Sequence, residues 1–486
     1  MLQLLKHTAI YGISSILGRF LNALMTPIIN NVLPPNQTGI STQLYLYIAL
    51  LMVILIYGME TTAFRFVHKK NNDENVLETI SSLLWISTIF FCGIIYAFAT
   101  PIAQLLSIND PFFVKISIAI IAFDVLSVMS FVRLRLLNKP FNFAFIKLAN
   151  IILTFFLTTL FLWILPYYTT LMPTIYHIFW ANVIVSFCTL LYLLFNSSTF
   201  IAFKVDARLI KQLLKFGIPI MMTGLAVMIT QVFGRSIMQF VLPLPQAEID
   251  HIFGIFSANM KMAIVMTIFA QAFRMGAEPF FFKSALQDNA PKIYAMAMHY
   301  FLLVSVLIFV FVSLFVDIFK YYIGSSLYWQ GLHIVPLALF SELLAGIYYN
   351  LSIWYKLTNH LKIAMLIAIL GAILTILLNI LLIPLISYTG SVVASIISFM
   401  VMCLSSWFIG KRYYPIPYNI ATMVQYVCLG VTIVIVALIV RHYITNILTI
   451  HLIHIMLLLI FLSIILIKEN TMRRFLLHKC KLLIKA

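Results

Sequence analysis

The stretch from Gln231 to Phe282 reads QVFGRSIMQFVLPLPQAEIDHIFGIFSANMKMAIVMTIFAQAFRMGAEPFFF. It contains two long apolar segments joined by a short turn with prolines and acids, Val241 to Asp250. The apolar segments nevertheless carry Arg235, Lys261 and Arg274. A charge at the centre of a membrane helix costs about 2.5–3.5 kcal/mol on insertion scales, so such residues face a protein interior or a water-filled cavity. The stretch therefore predicts two membrane helices bordering a cavity that receives an anionic substrate.

The composition of the whole chain is that of a membrane protein. The 486 residues are 63% hydrophobic and 9% charged, whereas soluble proteins contain about 25% charged residues. The formal net charge of +17 would suggest nucleic-acid binding in a soluble protein. Here it indicates cytoplasmic loops rich in Lys and Arg that lie against anionic lipid. We therefore expect membrane lipids, and no nucleic acid, among the partners.

Breaks at polar, charged and proline-containing positions predict fourteen spans, because a span needs about 20 mainly apolar residues. They cover approximately residues 8–32, 40–64, 79–100, 112–132, 141–165, 174–196, 214–241, 252–281, 293–319, 327–355, 361–385, 389–410, 419–440 and 447–467. Loops on the side of the N-terminus hold most of the Lys and Arg residues, and the opposite loops hold only Lys115, Lys320 and Arg441. This asymmetry predicts that both termini are cytoplasmic.

An internal repeat relates the two halves of the chain. The turns VLPPNQ (32–37) and VLPLPQ (241–246) are similar, and each follows a span with an arginine, Arg19 or Arg235. This pattern predicts two six-helix lobes related as a parallel repeat. The expected divisions are an N-lobe at 1–200, a cytoplasmic amphipathic linker at 201–213, a C-lobe at 214–412, and helices 13 and 14 with a basic tail at 413–486.

Charged residues inside the spans are the main functional signal. A guanidinium group binds phosphate oxygens through a rigid two-pronged fork, while lysine acts as a point charge. Several cations at mid-depth therefore suit a diphosphate. Arg235 shares a helical face with Gln231 and Gln239, at a spacing of four residues. We expect the substrate-binding residues to be Arg19, Gln231, Arg235, Gln239, Lys261 and Arg274.

The acidic residues inside the spans each allow more than one role. The candidate gate or ion-coupling residues are Glu60, Arg65, Asp124, Glu278 and Glu342. Glu278 lies four residues after Arg274 and could instead pair with it within one helix. Asp124 and Glu342 are either protonatable coupling sites or hydrogen-bonding groups between helices.

Three further charges lie near the inner ends of spans. Glu60 and Arg65 form either a gate, a structural ion pair or a lipid anchor. Lys147 either faces the interior or extends its ammonium to the cytoplasmic surface.

The sequence contains none of the common nucleotide-hydrolysis, metalloprotease or serine-hydrolase motifs. There is no GxxxxGK[ST], HExxH or GxSxG stretch, so we expect no ATP hydrolysis and no enzyme activity. The five cysteines are scattered without a CxxC pair, so neither a metal site, a cofactor nor a disulfide framework is expected.

Five segments resemble the multidrug/oligosaccharidyl-lipid/polysaccharide (MOP) exporter superfamily, within it the polysaccharide-repeat (O-antigen) flippases. They are AIYGISSILGRFLNALMTPI (9–28), LKFGIPIMMTGLA (214–226), QAFRMGAEPFFF (271–282), YYNLSIWYKLTN (348–359) and LNILLIPLISYTGSVVAS (378–395). The resemblance implies an all-α fold of two six-helix lobes around a central cavity, plus two further helices, in a bacterial inner membrane. It implies alternating access, driven by H⁺, Na⁺ or the membrane potential. The implied substrate is a polyprenyl-diphosphate-linked oligosaccharide, moved from the cytoplasmic to the outer leaflet.

Two adjacent positions separate the chain from the related lipid II flippases. Their helix 1 carries an Arg that matches Arg19, but the second Arg and the adjacent Asp of that family are replaced here by Met25 and Thr26. Another lipid-linked oligosaccharide is therefore expected. The alternative is a drug or metabolite antiporter of the MATE type, whose cavity should be acidic or aromatic. A polytopic polysaccharide polymerase or ligase fits less well, because the predicted outer loops are short.

Overall fold

The chain forms a bundle of helices in this computed structural model. The structure describes residues 2–70, 73–106, 108, 110–137, 139–170, 172–196, 203–230, 234–284, 287–358 and 360–469. Within these ranges it describes every side chain except those of 2–16, 68–70, 73, 235, 275–276, 278–280, 282–283 and 361. None of the described residues lies in a β-strand, which confirms the predicted all-α class.

The helices follow one another with short connections. In chain order they are α1 (Leu2–Val32), α2 (Pro35–Ile56), α3 (Met59–Lys70), α4 (Asp73–Ala97), α5 (Ala99–Leu105), α6 (Pro111–Leu136), α7 (Pro140–Thr159), α8 (Leu165–Tyr168), α9 (Ile175–Phe195), α10 (Ala207–Met228), α11 (Gly234–Val241), α12 (Gln246–Met260), α13 (Ile264–Ser284), α14 (Ala290–Leu314), α15 (Val316–Ile323), α16 (Val335–Leu351), α17 (Ile353–Leu357), α18 (Leu361–Ile386), α19 (Tyr388–Tyr413), α20 (Ile420–Tyr443) and α21 (Ile447–Lys468). A π-helical turn (Leu160–Ile164) joins α7 to α8, and a 3₁₀ turn (Lys261–Ala263) joins α12 to α13.

Thirteen helical segments within the described residues are long and apolar enough to cross a membrane. The first of them begins at Pro35, after α1. Helix α1 is itself 31 residues long, so the long helices agree with the fourteen spans predicted from the sequence. The protein is a multi-pass membrane protein.

Local sequence explains where individual helices begin and end. At the start of α6, the Asp110 carboxylate accepts a hydrogen bond from the Phe112 amide, and Pro111 occupies the first helical position. Both features favour a helix N-terminus. Tyr57 and Gly58 have positive φ angles of 33° and 73°. This left-handed pair ends α2 and divides the second predicted span into α2 and α3.

Two separate hydrophobic cores define the lobes. The larger core of the first half is built from residues between Leu33 and Leu213, and that of the second half from residues between Ile237 and Ile465. Residues 207–213 of the expected linker form the first two turns of α10, which continues to Met228. Leu209 and Leu213 of this segment are buried in the first core. The division of the chain at this segment remains a prediction. Residues 201 and 202 lie outside the described part.

The described part of the seventh predicted span consists of α10 and α11. Residues 229 and 230, after Met228, have π-helical geometry, and residues 231–233 lie outside the described part. Helix α10 packs against α2, α3 and α4 of the first lobe and against α18 of the second. Helix α11 packs against α18 and α19. Helix α10 therefore joins the lobes by packing against both of them, as well as by following the first lobe in the chain.

The two lobes meet where α2 crosses α12. A Cβ atom on Gly39 would overlap the carbonyl oxygen of Asp250, and one on Gly254 would overlap the carbonyl oxygen of Pro35. The two glycines therefore permit backbone contact between the lobes. We call the end of the bundle that holds this crossing and the α1–α2 turn the α1–α2 face.

Candidate functional site

A polar cavity of about 230 Å³ lies between the lobes, where α1 meets α13, and residues of α16 complete its lining. Arg19 reaches it from the first lobe, whereas Arg274 and Glu342 reach it from the second. The remaining lining residues are Thr267, Ala270, Gln271, Ala345, Gly346 and Tyr349. The structure thus brings together three charged residues that the sequence placed in separate spans.

The cavity carries an excess of positive charge. Among the described residues, Arg274, Glu342 and Tyr349 lie near enough to the Arg19 guanidinium to interact with it electrostatically. The Arg274 guanidinium carbon lies 5.1 Å from the centre of the Tyr349 ring, within the range of a cation–π contact. The Thr267 hydroxyl donates a hydrogen bond of 3.2 Å to Oε2 of Glu342. Among the described lining residues, two guanidinium groups against one carboxylate favour an anionic ligand.

The side-chain amide of Gln271, which lines the cavity, has an oxygen that can accept a further hydrogen bond. Oε1 of Gln271 is buried and has no hydrogen-bond partner among the described residues. Buried polar atoms are rarely left unpaired. A bound hydroxyl or water can supply the missing donor.

A small recess of about 20 Å³ continues the cavity along α13 and α16. It shares Ala270, Arg274 and Tyr349 with the cavity and extends to Lys356. Lys356 is at the end of α17, close to the connection to α18. The cations Arg19, Arg274 and Lys356 therefore follow one continuous depression.

Two of the predicted binding residues lie elsewhere. Gln239 on α11 donates a hydrogen bond of 3.0 Å to the Tyr47 hydroxyl and is also hydrogen-bonded to Gln43. It therefore joins α11 to α2 across the lobes. Lys261 occupies the 3₁₀ turn between α12 and α13, is half-buried, and is not among the residues that line the cavity. The substrate roles given to both remain predictions.

Three predicted residues are described only by their backbone or not at all. Gln231 is outside the described residues, and the side chains of Arg235 and Glu278 are not described. The backbone places Arg235 in the first turn of α11 and Glu278 on α13, one turn after Arg274.

The predicted gate pair is divided between two sites. Glu60 forms an ion pair with Arg135 of α6 rather than with Arg65. The guanidinium carbon of Arg65 lies 4.1 Å from the ring centre of Phe216 on α10. Arg65 thus stabilises the contact between α3 and α10, and Glu60 stabilises the packing inside the first lobe.

Asp124 and Lys147 form a second polar cluster within the first lobe. The Asp124 carboxylate interacts electrostatically with the Lys147 ammonium, and the Ser186 hydroxyl donates a hydrogen bond of 3.3 Å to Oδ1 of Asn182. The Lys147 nitrogen lies 4.3 Å from the ring centre of Phe131. Nearby, Asn182 donates a hydrogen bond of 3.1 Å to the Tyr45 hydroxyl. This cluster is a titratable site apart from the cavity.

The uncharged residues of the cavity were not predicted from the sequence. Thr267, Gln271 and Arg274 recur at spacings of four and three residues, which places them on one face of α13. Glu342 and Tyr349 are two turns apart on α16. The helical spacing of polar residues in each span was the signal that could have identified them.

An apolar cavity of about 260 Å³ lies on the second lobe, between α14, α16, α19 and α20. It is lined by apolar and aromatic side chains, among them Met298, Phe340, Leu344, Trp407 and Met423. Such a cavity accepts hydrocarbon and offers nothing to a charged group.

Hydrogen bonds close the lobes at the α1–α2 face. The Tyr328 hydroxyl donates to the Leu33 carbonyl at 2.7 Å and lies 3.0 Å from Oγ1 of Thr38. Nδ2 of Asn30 donates to the Ile323 carbonyl at 2.9 Å. These contacts join α1 and α2 to the α15–α16 region, so the structure is closed at this face.

Comparisons with known proteins agree with this architecture. The family model of polysaccharide biosynthesis proteins matches residues 4–285. No curated protein sequence matches the chain significantly. A solved structure of the lipid II flippase MurJ, in an inward closed conformation, has a TM-score of 0.69 at 16% identity, with 94% of this chain and 98% of that chain covered.

Two transporters of the MOP superfamily also share the fold. A multidrug resistance MATE family transporter in an inward-facing conformation has a TM-score of 0.61 at 12% identity, over 84% of this chain and 96% of that chain. A transporter from Pyrococcus furiosus, described as having a binding pocket of reverse polarity, has a TM-score of 0.55 at 12% identity, over the same shares of the two chains. The chain belongs to the polysaccharide biosynthesis protein family and has the fold of the MOP superfamily.

Proposed function

We propose that this protein is a flippase that moves a polyprenyl-diphosphate-linked oligosaccharide from the cytoplasmic to the outer leaflet of a bacterial inner membrane. The observation that carries the proposal is the cavity between the lobes, where Arg19 and Arg274 face a single carboxylate, Glu342. Two guanidinium forks suit the oxygens of a diphosphate. The family match and the MurJ-like fold support a lipid-linked substrate.

The apolar cavity between α14 and α20 suits the hydrocarbon part of such a substrate. It lies on the same lobe as Arg274 but shares no lining residue with the charged cavity. The diphosphate and sugars would then use the polar path, while the polyprenyl chain stays in apolar surroundings.

Alternating access would proceed by exchange of contacts between the lobes. In the proposed orientation both termini are cytoplasmic and the α1–α2 face is outside. The hydrogen bonds of Tyr328 and Asn30 then seal the outer side. Opening outward requires these bonds to break and the glycine-mediated crossing of α2 and α12 to separate. H⁺ or Na⁺ would bias this exchange through Asp124 or Glu342.

Export of organic cations by a MATE-type mechanism is the second candidate. It requires an acidic or aromatic cavity, whereas the charged cavity here holds two arginines and one glutamate. A polymerase or ligase is less well supported, because the family model and the solved neighbours point to transporters.

The test is transport by purified protein in liposomes. The substrate is a lipid-linked diphosphate oligosaccharide that carries a fluorophore. An impermeant quencher added outside quenches the fluorophore in the outer leaflet, and the quenched fraction is measured over time. We expect Arg19→Ala and Arg274→Ala to reduce flipping at least tenfold, about 1.4 kcal/mol or more, and Arg→Lys at either position to retain part of it.

Lys115→Ala is the matched control, since its ammonium lies 5.3 Å from the ring centre of Tyr96, away from the cavity. Wild-type flipping by both Arg→Ala variants would exclude the proposal, and efflux of ethidium without flipping would favour the MATE-type function.

A further inference from the structure

A second cavity, of about 250 Å³ and lined by both polar and apolar side chains, lies at the α1–α2 face. Its polar lining comes from both lobes, and the side chains are Gln37, Gln43, Asp110, Thr174, Tyr176 and Asp250. Asp250 is on α12, whereas the other five belong to the first lobe. None of them lines the arginine cavity.

The cavity is rich in hydrogen-bond acceptors that are held in place. One oxygen of Asp110 accepts a bond of 2.8 Å from the Phe112 amide, and the other accepts a bond from the Tyr176 hydroxyl. Asp250 is only 6% exposed, and its Oδ1 accepts a bond of 2.9 Å from Gln246. Oε1 of Gln37 is buried and has no hydrogen-bond partner within the described part of the chain. A ligand for this cavity must therefore offer several donors.

An aromatic wall borders the same space. The rings of Phe113 and Tyr176 are stacked, with centres 4.4 Å apart and planes 13° apart, and both residues line the cavity. Stacking fixes the orientation of the wall beside the acceptors. A ligand with one apolar face and a donor-rich edge would satisfy both features.

These features match a sugar better than a metal ion. Ring hydroxyls donate to carboxylate and amide oxygens, while the C–H face of a sugar packs on aromatic rings. No group of three His, Cys, Asp or Glu side chains suited to a metal occurs in the described part of the chain. The volume is below the roughly 300–1,000 Å³ of typical ligand pockets, so it suits a single sugar ring. We propose that this cavity is an outer saccharide site that binds one ring of the exported glycan; the assignment to the exported glycan rests on the proposed function.

The position of Asp250 gives this site a consequence for the transport cycle. The residue comes from the opposite lobe, and its backbone carbonyl packs directly on Gly39. The site is therefore complete only while the lobes are closed at this face. A sugar bound from outside would favour the closed outer side, so free glycan should slow the next outward opening.

Protection of a single cysteine tests the site directly. Ile40 lines the cavity and is half-buried, so Ile40→Cys in a cysteine-free chain is the reporter. A membrane-impermeant maleimide is applied from outside, with glucose, galactose or N-acetylglucosamine as the probe and glycine betaine at equal osmolarity as the blank. We expect at least one sugar to slow labelling severalfold. Ser326→Cys, which is exposed and does not line the cavity, should label at an unchanged rate.

Two further variants make the test specific. Asp250→Asn and Gln37→Ala, each combined with Ile40→Cys, should label normally without sugar and lose the protection. The proposal is wrong if no sugar protects, if Ser326→Cys is slowed equally, or if Mg²⁺ or Ca²⁺ protects where sugars do not. Labelling needs no transport, so failure here leaves the flippase assignment intact. Loss of flipping activity in the liposome test would in turn leave a sugar site demonstrated by protection.

Discussion

Arg19 of α1 and Arg274 of α13 border one cavity, although the two helices belong to different lobes. Two like charges repel by about 4 kcal/mol at 4 Å and an effective dielectric of 20. Glu342 offsets part of this repulsion within the same cavity. An anionic ligand would offset the rest, so ligand binding and the approach of the lobes are energetically coupled.

Glu342→Gln should strengthen the binding of an anion and slow its release. Among the described side chains that line the cavity, the substitution removes the only acidic one and leaves both arginines in place. We expect polyprenyl diphosphate to bind about tenfold more tightly, equivalent to about 1.4 kcal/mol, with slower flipping. Microscale thermophoresis and the liposome assay measure the two effects. Glu74→Gln is the control, because that side chain is 76% exposed on the surface; equal effects in both variants would contradict a local role for Glu342.

Tyr328→Phe should weaken the closure of the α1–α2 face. The hydroxyl bonds both the Leu33 carbonyl and Thr38, and each hydrogen bond contributes about 0.5–1.5 kcal/mol. Distances between spin labels at Asn36 and Glu248, which lie on opposite lobes, should shift to longer values. Tyr321→Phe, at a tyrosine that is 67% exposed, should leave the distribution unchanged. An unchanged distribution for Tyr328→Phe would show that other contacts hold this face.

Gly254→Ala should have a stronger effect on the same closure. The added methyl group would overlap the Pro35 carbonyl oxygen, so α2 and α12 cannot cross at their present distance. We expect the spin-label distances to lengthen and flipping to fall, while the helical content stays constant by circular dichroism. Gly93→Ala provides the matched control, since no atom lies within 4 Å of its added Cβ. A closed distribution in Gly254→Ala would mean that the crossing adjusts without opening.

Asp124→Asn should uncouple flipping from an ion gradient. The carboxylate interacts electrostatically with Lys147 inside the first lobe, apart from the arginine cavity. The amide cannot ionise, and its neutral oxygen binds a cation more weakly than a carboxylate does. We expect the acceleration by an imposed H⁺ or Na⁺ gradient to disappear in the liposome assay, with slow flipping down a substrate gradient retained. Acceleration equal to that of wild type would assign coupling to another residue, with Glu342→Gln as the next variant.

Cysteine labelling should establish the orientation of the chain. Leu244→Cys lies in the turn between α11 and α12 and should react with an impermeant maleimide in intact cells. Lys204→Cys, in the connection before α10, should react only after lysis. Both residues are exposed, so reactivity reports sidedness rather than burial. The opposite pattern would reverse the topology on which the flippase direction depends.

The sequence by itself determined the class of the protein and the positions of its spans. Hydropathy at the length of a bilayer crossing is a local property, and helices in lipid satisfy their own backbone hydrogen bonds. The residues Arg19, Arg274 and Glu342 were recognisable for the same reason, since charges in apolar helices are costly wherever they occur.

Only the tertiary structure decided which of these charges meet. Glu60 pairs with Arg135 rather than with nearby Arg65, and Gln239 bonds Tyr47 across the lobes. Neither contact follows from helical spacing, because the partners lie on different helices whose rotation about their axes is set by packing. The same holds for the crossing at Gly39 and Gly254, where backbones from two lobes touch. Hydropathy predicts that a helix crosses the membrane, but the packed neighbours determine which face of it borders the cavity.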